Sequence, residues 1–240
     1  RTVMGSARPY GQYALAAELF RYPGVDLNDR VTALYDVLGT RYPEAAGTLS
    51  PFVEWVATTP AHRVEEVFSR TFHVQAICYL DIGFVIFGED YKRGEFLVNM
   101  KQEQSLAGND CGEELPDNLV NMLTLLPLLK DDAFRAELAG RVMMPALRRM
   151  LAEFSPEKSR LRTNMLRRKH NALIMPEEQH MNVYHHALLA LFQMFAQDFE
   201  EVALETYRPN GHDPLRAAVP ASECGTCTVP HSPLIKTMKP

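Results

Sequence analysis

Residues 67–106 read VFSRTFHVQAICYLDIGFVIFGEDYKRGEFLVNMKQEQSL, residues 107–118 read AGNDCGEELPDN, and residues 119–129 read LVNMLTLLPLL. Two long apolar-periodic segments thus flank a short, acidic, proline-containing joint. The fold is decided at Tyr79–Phe87, YLDIGFVIF, whose β-branched and aromatic content would suit a strand. No turn-linked partner strand lies nearby, and a lone strand leaves its backbone donors and acceptors unpaired. Helix is therefore expected at Tyr79–Phe87, and with it an all-α chain. The stretch holds no catalytic constellation. Paired helices around a joint suggest a surface and a pocket, which point to binding rather than chemistry.

Helical periodicity extends outward on both sides. Tyr13, Ala16, Ala17 and Phe20 share one face of a first helix that Pro23-Gly24 stops. Asp26 or Asn28 can cap a second, which carries Val31, Leu34, Tyr35 and Leu38 inward and ends near Gly39. A third starts at Pro43 with an expected break at Gly47. Ser50-Pro51 then begins another, with Pro51 at its first position. His62–Phe72 and Tyr91–Leu106 are helical, the latter with Phe96, Leu97 and Met100 inward and Arg93, Lys101 and Glu103 outward. Pro116 suits a helical first turn, with Glu113, Glu114 and Asp117 beside the positive end of the helix. Leu119, Met122, Leu123, Leu126 and Leu129 follow as a core stripe that Pro127 should bend. Asp131 and Asp132 cap the next helix, and Pro145 marks a kink or a break. A last amphipathic helix runs from about Gln179 to Thr206. Beyond it the six prolines of residues 206–240 and the loss of helical period indicate an extended tail. The expected organisation is therefore one helical domain, residues 1–205, followed by the tail, residues 206–240.

Composition narrows the function classes. The 240 residues include 25 Lys and Arg against 30 Asp and Glu, a formal charge of −5, which disfavours nucleic acid and anionic membrane as partners of the whole protein. No uninterrupted apolar run reaches the roughly 18–20 residues that span a bilayer, and no secretory leader is evident, so a soluble, cytoplasmic protein is expected. Cys78 and Cys111 stand alone, and only Cys224 and Cys227 form a CxxC, which is not the density of a disulfide-stapled scaffold.

Four features can carry function, each with an ordinary alternative. Cys224 and Cys227, with His231 and either His212 or Cys111, can hold zinc. They can equally form a redox or structural pair, or remain free thiols in a tail. Asp81, an acid amid apolar neighbours, must pair, cap or face a cleft, because an unpaired buried carboxylate is costly. Glu113, Glu114 and Asp117 make a second negative cluster or simply serve a helix start. The basic run at residues 158–171, including Arg160, Arg162, Arg167 and Arg168, can contact a polyanion or form a solvated helix face. His180, His185 and His186 lack the spacing of an HExxH site, and matched ExxH pairs are missing. GxGxxG, GxxxxGK[ST] and GxSxG are also missing, so nucleotide chemistry and serine catalysis lack their usual loops.

Phe87-Gly88-Glu89, Arg93-Gly94 and Glu114-Leu115-Pro116-Asp117-Asn118-Leu119, in that order after the aromatic run Phe72–Leu80, resemble the NarJ branch of the TorD-like family of molybdoenzyme assembly chaperones. The resemblance covers roughly residues 10–205 and is most specific at residues 67–129. Its nearest subgroup is the nitrate reductase delta-subunit-like chaperones, including those of selenate, chlorate, dimethylsulfide and ethylbenzene oxidoreductases. This chain carries Asn118 where many relatives have His. The resemblance implies an all-α, non-enzymatic helical bundle, a monomer or weak dimer with no required cofactor. It would bind the N-terminal region of an apo-molybdoenzyme catalytic subunit and hold it competent for iron–sulfur and molybdenum cofactor insertion. On that reading Tyr79, Asp81, Glu113, Glu114, Asp117 and Asn118 meet the client peptide. The basic residues from Arg160 to Arg168 contact the client or, transiently, the molybdenum cofactor. A helical zinc or redox protein using Cys224 and Cys227, and a structural subunit of an oxidoreductase, are the competing classes.

Overall fold

The computed structural model describes residues 10–74, 76–162 and 183–199. Those residues form an all-α bundle of packed helices, and among them the only extended pairing is one isolated antiparallel bridge, Asp81 with Asn118. The helices with described bounds are α1 (Gly11–Ala17), α2 (Leu27–Arg41), α3 (Pro43–Thr58), α4 (Ala61–Phe72), α5 (Ile82–Phe87), α6 (Lys92–Ala107), α7 (Leu119–Leu125), α8 (Asp132–Glu137), α9 (Met144–Ala152) and α10 (Val183–Asp198), and residues 156–162 are also helical. None is long and apolar enough to cross a membrane. The expected tail at residues 206–240 lies outside the described residues, as do both ends of the expected last helix.

Helices α3 and α10 form the central pair. Phe52 and Trp55, toward the C-terminal end of α3, meet Tyr184 at the start of α10, while Glu44 at the start of α3 accepts from Gln193 further along α10 at 3.0 Å, so the two run antiparallel. The Tyr184 ring is enclosed edge-on by Phe52, Phe68 and Phe72, with centroids 5.0–5.8 Å away. Each such aromatic side chain contributes about 1.5–3 kcal/mol by leaving water, with a smaller increment from ring geometry.

Several boundaries differ from the sequence reading. Helix α2 continues through Gly39 to Arg41, and α3 runs unbroken through Gly47 and Pro51. The continuous buried face of α3, Ala45, Ala46, Leu49, Phe52, Trp55 and Val56, outweighs the roughly 3 kcal/mol that an internal proline costs. Pro116 lies in a turn before α7 rather than inside it, because Asn118 is the cap: its Oδ1 accepts from Val120 N at 3.0 Å. Helix α7 ends two residues before Pro127. Asp131 caps α8 as expected, accepting from Ala133 N and Phe134 N. A π turn at Leu138–Met143 joins α8 to α9 just ahead of Pro145, where the wider register relieves the proline.

One buried carboxylate ties the two ends of the described chain together. Asp198, with an 8 % exposed side chain, accepts from Gln12 Nε2 at 2.9 Å, Tyr13 OH at 3.0 Å and Tyr42 OH at 2.7 Å, with Arg41 at 3.8 Å. Burial and the adjacent carboxylate push both phenols well above their ordinary range, so they remain donors. Asp198→Ala is expected to cost about 1–3 kcal/mol by removing the acceptor that Gln12, Tyr13 and Tyr42 share, the Tyr42 hydroxyl having no other, and Tyr42→Phe about 1 kcal/mol. Urea unfolding with an unchanged slope measures both.

Candidate functional site

The site forms where the chain after α4 crosses the joint before α7. Ile77 N and Cys78 N donate to Thr71 O at 2.8 and 3.2 Å, folding the connection back on α4. Ile77, Cys78 and Leu80 are buried and anchor it. Ile82 N then donates to Asp117 O at 2.9 Å, and Leu119 N to Leu80 O at 2.8 Å. These two bonds are the bridge, and they correct the helical reading of Tyr79–Asp81. That part of YLDIGFVIF is extended, with its partner supplied 37 residues later (118 − 81) by the joint, and the helix begins only at Ile82. Asp81 is therefore not inside a helix. It precedes one, with a side chain that does not cap α5.

The crossing places two carboxylates against one guanidinium. Asp117 is fully buried, and its Oδ2 accepts from Gly83 N at 2.9 Å while its Oδ1 has no partner. Asp81 is 28 % exposed and lies 3.5 Å from Arg93 Nη2. Arg93, expected to point outward from α6, instead turns in, with its guanidinium 5.2 Å from the Phe84 ring and its Nε buried without a partner. Burial, reinforced by the Asp81 charge, pushes the Asp117 carboxyl up to about 6, although the Gly83 bond and Arg93 oppose the shift. Burial also raises Asp81, against the pull of Arg93, the Asn118 side chain and His73.

Close packing makes this proximity available. A Cβ on residue 83 would fall 2.6 Å from Asp117 Oδ2 and 2.9 Å from Phe96 Cδ1, so only glycine lets α5 approach the joint. Arg149 of α9 donates to the carbonyls of Val85 and Ile86 at 3.1 and 2.7 Å, holding the other end of α5. Tyr79, 47 % exposed, packs edge-on against Phe84 at 4.7 Å, and Phe87 meets Phe96 at 5.7 Å. Beneath the joint, Gln104 donates to Pro116 O and Asn121 O, while Asn121 donates to Leu115 O at 2.8 Å.

The structure thus brings together four of the residues singled out by sequence: Tyr79, Asp81, Asp117 and Asn118. Glu114 joins through Asn118 Nδ2 at 3.3 Å. Glu113 stays exposed and makes no hydrogen bond to a described residue. Arg162 is held by Glu153, donating to its carbonyl at 2.7 Å, and Arg160 is also described, whereas Arg167 and Arg168 are not. Cys224, Cys227, His231 and His212 also lie outside the described residues. Cys111 is a half-buried free thiol, and among the described residues no group of three His, Cys, Asp or Glu side chains is arranged to hold a metal ion. Arg93, Gly83, Phe84 and Arg149 are the members that sequence reasoning missed. Only the Arg93-Gly94 motif offered a signal for any of them.

Fold and site together define an all-α protein with a paired-carboxylate site at a chain crossing, bordered by aromatic rings. Neither family models nor curated proteins yield a match to the chain.

The acid pair makes stability depend on pH in an uncommon direction. Asp117 has its carboxyl raised from 3.8 to about 6, so the folded state holds a proton that the unfolded chain has already released in that interval. This contribution is complete below about pH 4 and is lost as pH rises through about 6. Asp117→Asn keeps an acceptor for Gly83 N, so it is expected to stabilise the protein at pH 7 by about 2 kcal/mol and to flatten the profile between pH 4 and 6. Gly83→Ala is expected to cost about 1–3 kcal/mol through overpacking. Chemical denaturation at a series of pH values checks both.

Proposed function

We propose that this protein is a cytoplasmic, non-enzymatic assembly chaperone. It binds the N-terminal region of the apo catalytic subunit of a molybdopterin oxidoreductase and keeps that subunit competent for iron–sulfur and molybdenum cofactor insertion. The observation that carries the reading is the Asp81–Asp117 pair: the one nearby guanidinium, Arg93, contacts Asp81 alone, and one oxygen of the fully buried Asp117 lacks a donor. Such a site has an unmet demand for a cationic donor, which an arginine-bearing leader supplies through charge-assisted hydrogen bonds. Tyr79 and Phe84 offer rings for the apolar part of that segment. The order of the Phe87-Gly88-Glu89, Arg93-Gly94 and Glu114–Leu119 motifs supports the same assignment by resemblance.

Calorimetric titration with leader peptides of molybdoenzyme catalytic subunits tests it. A cognate leader is expected to bind at about micromolar concentration, with affinity falling as salt rises. Asp81→Asn and Asp117→Asn should each weaken binding at least about tenfold without loss of fold, since neither removes side-chain volume. Absence of binding at tens of micromolar across such leaders would sink the reading.

A further inference from the structure

Arg93 is an unusual occupant of the acid pair it neutralises. An arginine side chain carries five N–H donors in a planar fork, suited to taking two carboxylate oxygens at once. Arg93 uses that capacity poorly. Its one carboxylate contact is Nη2 to Asp81 Oδ2 at 3.5 Å, the outer limit of a hydrogen bond. Its Nε is buried with no partner, and so is Asp117 Oδ1. A donor and an acceptor are therefore both desolvated and both unmet around the same pair of acids. The main compensation is the Phe84 ring under the guanidinium at 5.2 Å.

The cause is the tether. Arg93 is the second residue of α6, and that helix is fixed by Phe96 and Met100 in the core and by Gln104 beneath the joint. The acids are fixed as well. Asp117 is held by Gly83 N, and Asp81 sits in the bridge with Asn118. With both sides immobile, the guanidinium reaches one carboxylate at long range and leaves the other short of a donor. A guanidinium free of α6 has no such constraint and can bond both acids while keeping the ring contact.

We infer that Arg93 is an internal place-holder: it occupies the Asp81–Asp117 pair over the Phe84 ring in the free protein and yields that position to an incoming guanidinium. Binding is then an exchange. One positive charge replaces another, so the acids are never left without a counter-charge, and the released Arg93 side chain regains water. Part of each ligand's affinity is spent on displacing Arg93, which sets a threshold against weak cationic ligands. The inference deepens the leader-binding reading by naming a residue that selects among ligands at the same site, and it rests on that site taking an arginine.

L-argininamide is the probe, because it carries the guanidinium without a leader. Two measurements on the full chain decide the matter. In the wild-type protein, the Arg93 Nε–H resonance is expected to exchange with water faster as argininamide is added, because the side chain leaves its buried position. In Arg93→Gln, argininamide is expected to bind about tenfold more tightly than in wild type, with Arg93→Lys intermediate. An Arg93 Nε–H unaffected by bound argininamide would overturn the inference, as would a folded Arg93→Gln protein that binds it no better than wild type, or not at all. If Arg93→Gln does not fold, the wild-type resonance decides alone; failure of argininamide to bind wild type then counts against the inference. The outcomes separate from those of the chaperone reading. Argininamide displacing Arg93 while leader peptides fail to bind removes the client and keeps the place-holder. Leader peptides binding with Arg93 undisturbed does the reverse.

Discussion

Two backbone hydrogen bonds, Ile82 N to Asp117 O and Leu119 N to Leu80 O, hold the site together. They join two non-helical segments that α5 and α6 separate along the chain: the connection after α4 and the joint before α7. Once they form, the side chains of residues 81 and 117 have to share one small volume, and Gly83 must lie against the joint. Everything distinctive about the site follows from that crossing. Lost, the Asp117 carboxylate would have water instead of Gly83 N, and Arg93 would have no reason to turn in from α6.

The acid pair is an energetic liability within a stable frame. Of the two carboxylates only Asp81 has a contact to the guanidinium, and a long one, so the desolvation of the fully buried Asp117 is only partly offset. A chain selected for stability alone would gain from an amide or an apolar residue at position 117. Retaining an under-neutralised acid pair in a site bordered by the exposed Tyr79 ring on Phe84 is the pattern of a site whose complement arrives from outside. Elsewhere in the frame the principal buried charges are well met, although the Tyr184 hydroxyl has no partner among the described residues. Asp198 takes three neutral donors and an arginine, and Arg135 is satisfied by the carbonyls of Leu126 and Leu129 with Asp132 alongside.

Helix α5 shows how the frame transmits order to the site. Six residues are too few to form a stable helix alone. Its first turn is pinned by the Gly83 bond to Asp117, and its last carbonyls by Arg149 from α9. Phe84 therefore presents a fixed ring beneath the Arg93 guanidinium, with Tyr79 edge-on to it. The bundle supplies rigidity, and the crossing supplies charge.

Helical periodicity alone yields the fold class, the inward face of Tyr13, Ala16, Ala17 and Phe20, and the core stripe from Leu119 to Leu129, and local residue type yields the cap at Asp131, because these depend on one continuous segment. The acids also stood out, since Asp81 amid apolar residues and the ELPDN joint are visible as local anomalies. What periodicity could not report was any pairing across the chain. Periodicity puts Tyr79–Asp81 in a helix for want of a strand partner, and the partner is Asn118, a residue in a loop with no strand character of its own. Helix position puts Arg93 outward, and only the arrival of Asp81 and Phe84 from another segment gives its charge a reason to be half-buried. A local rule makes Pro51 a helix start because it penalises proline inside a helix, whereas the buried face on either side decides otherwise. Sequence spacing determines what one segment can do by itself. Which segments meet, and which charges must then share a desolvated space, is decided by tertiary packing, because burial and Coulomb interaction depend on distance in space rather than along the chain.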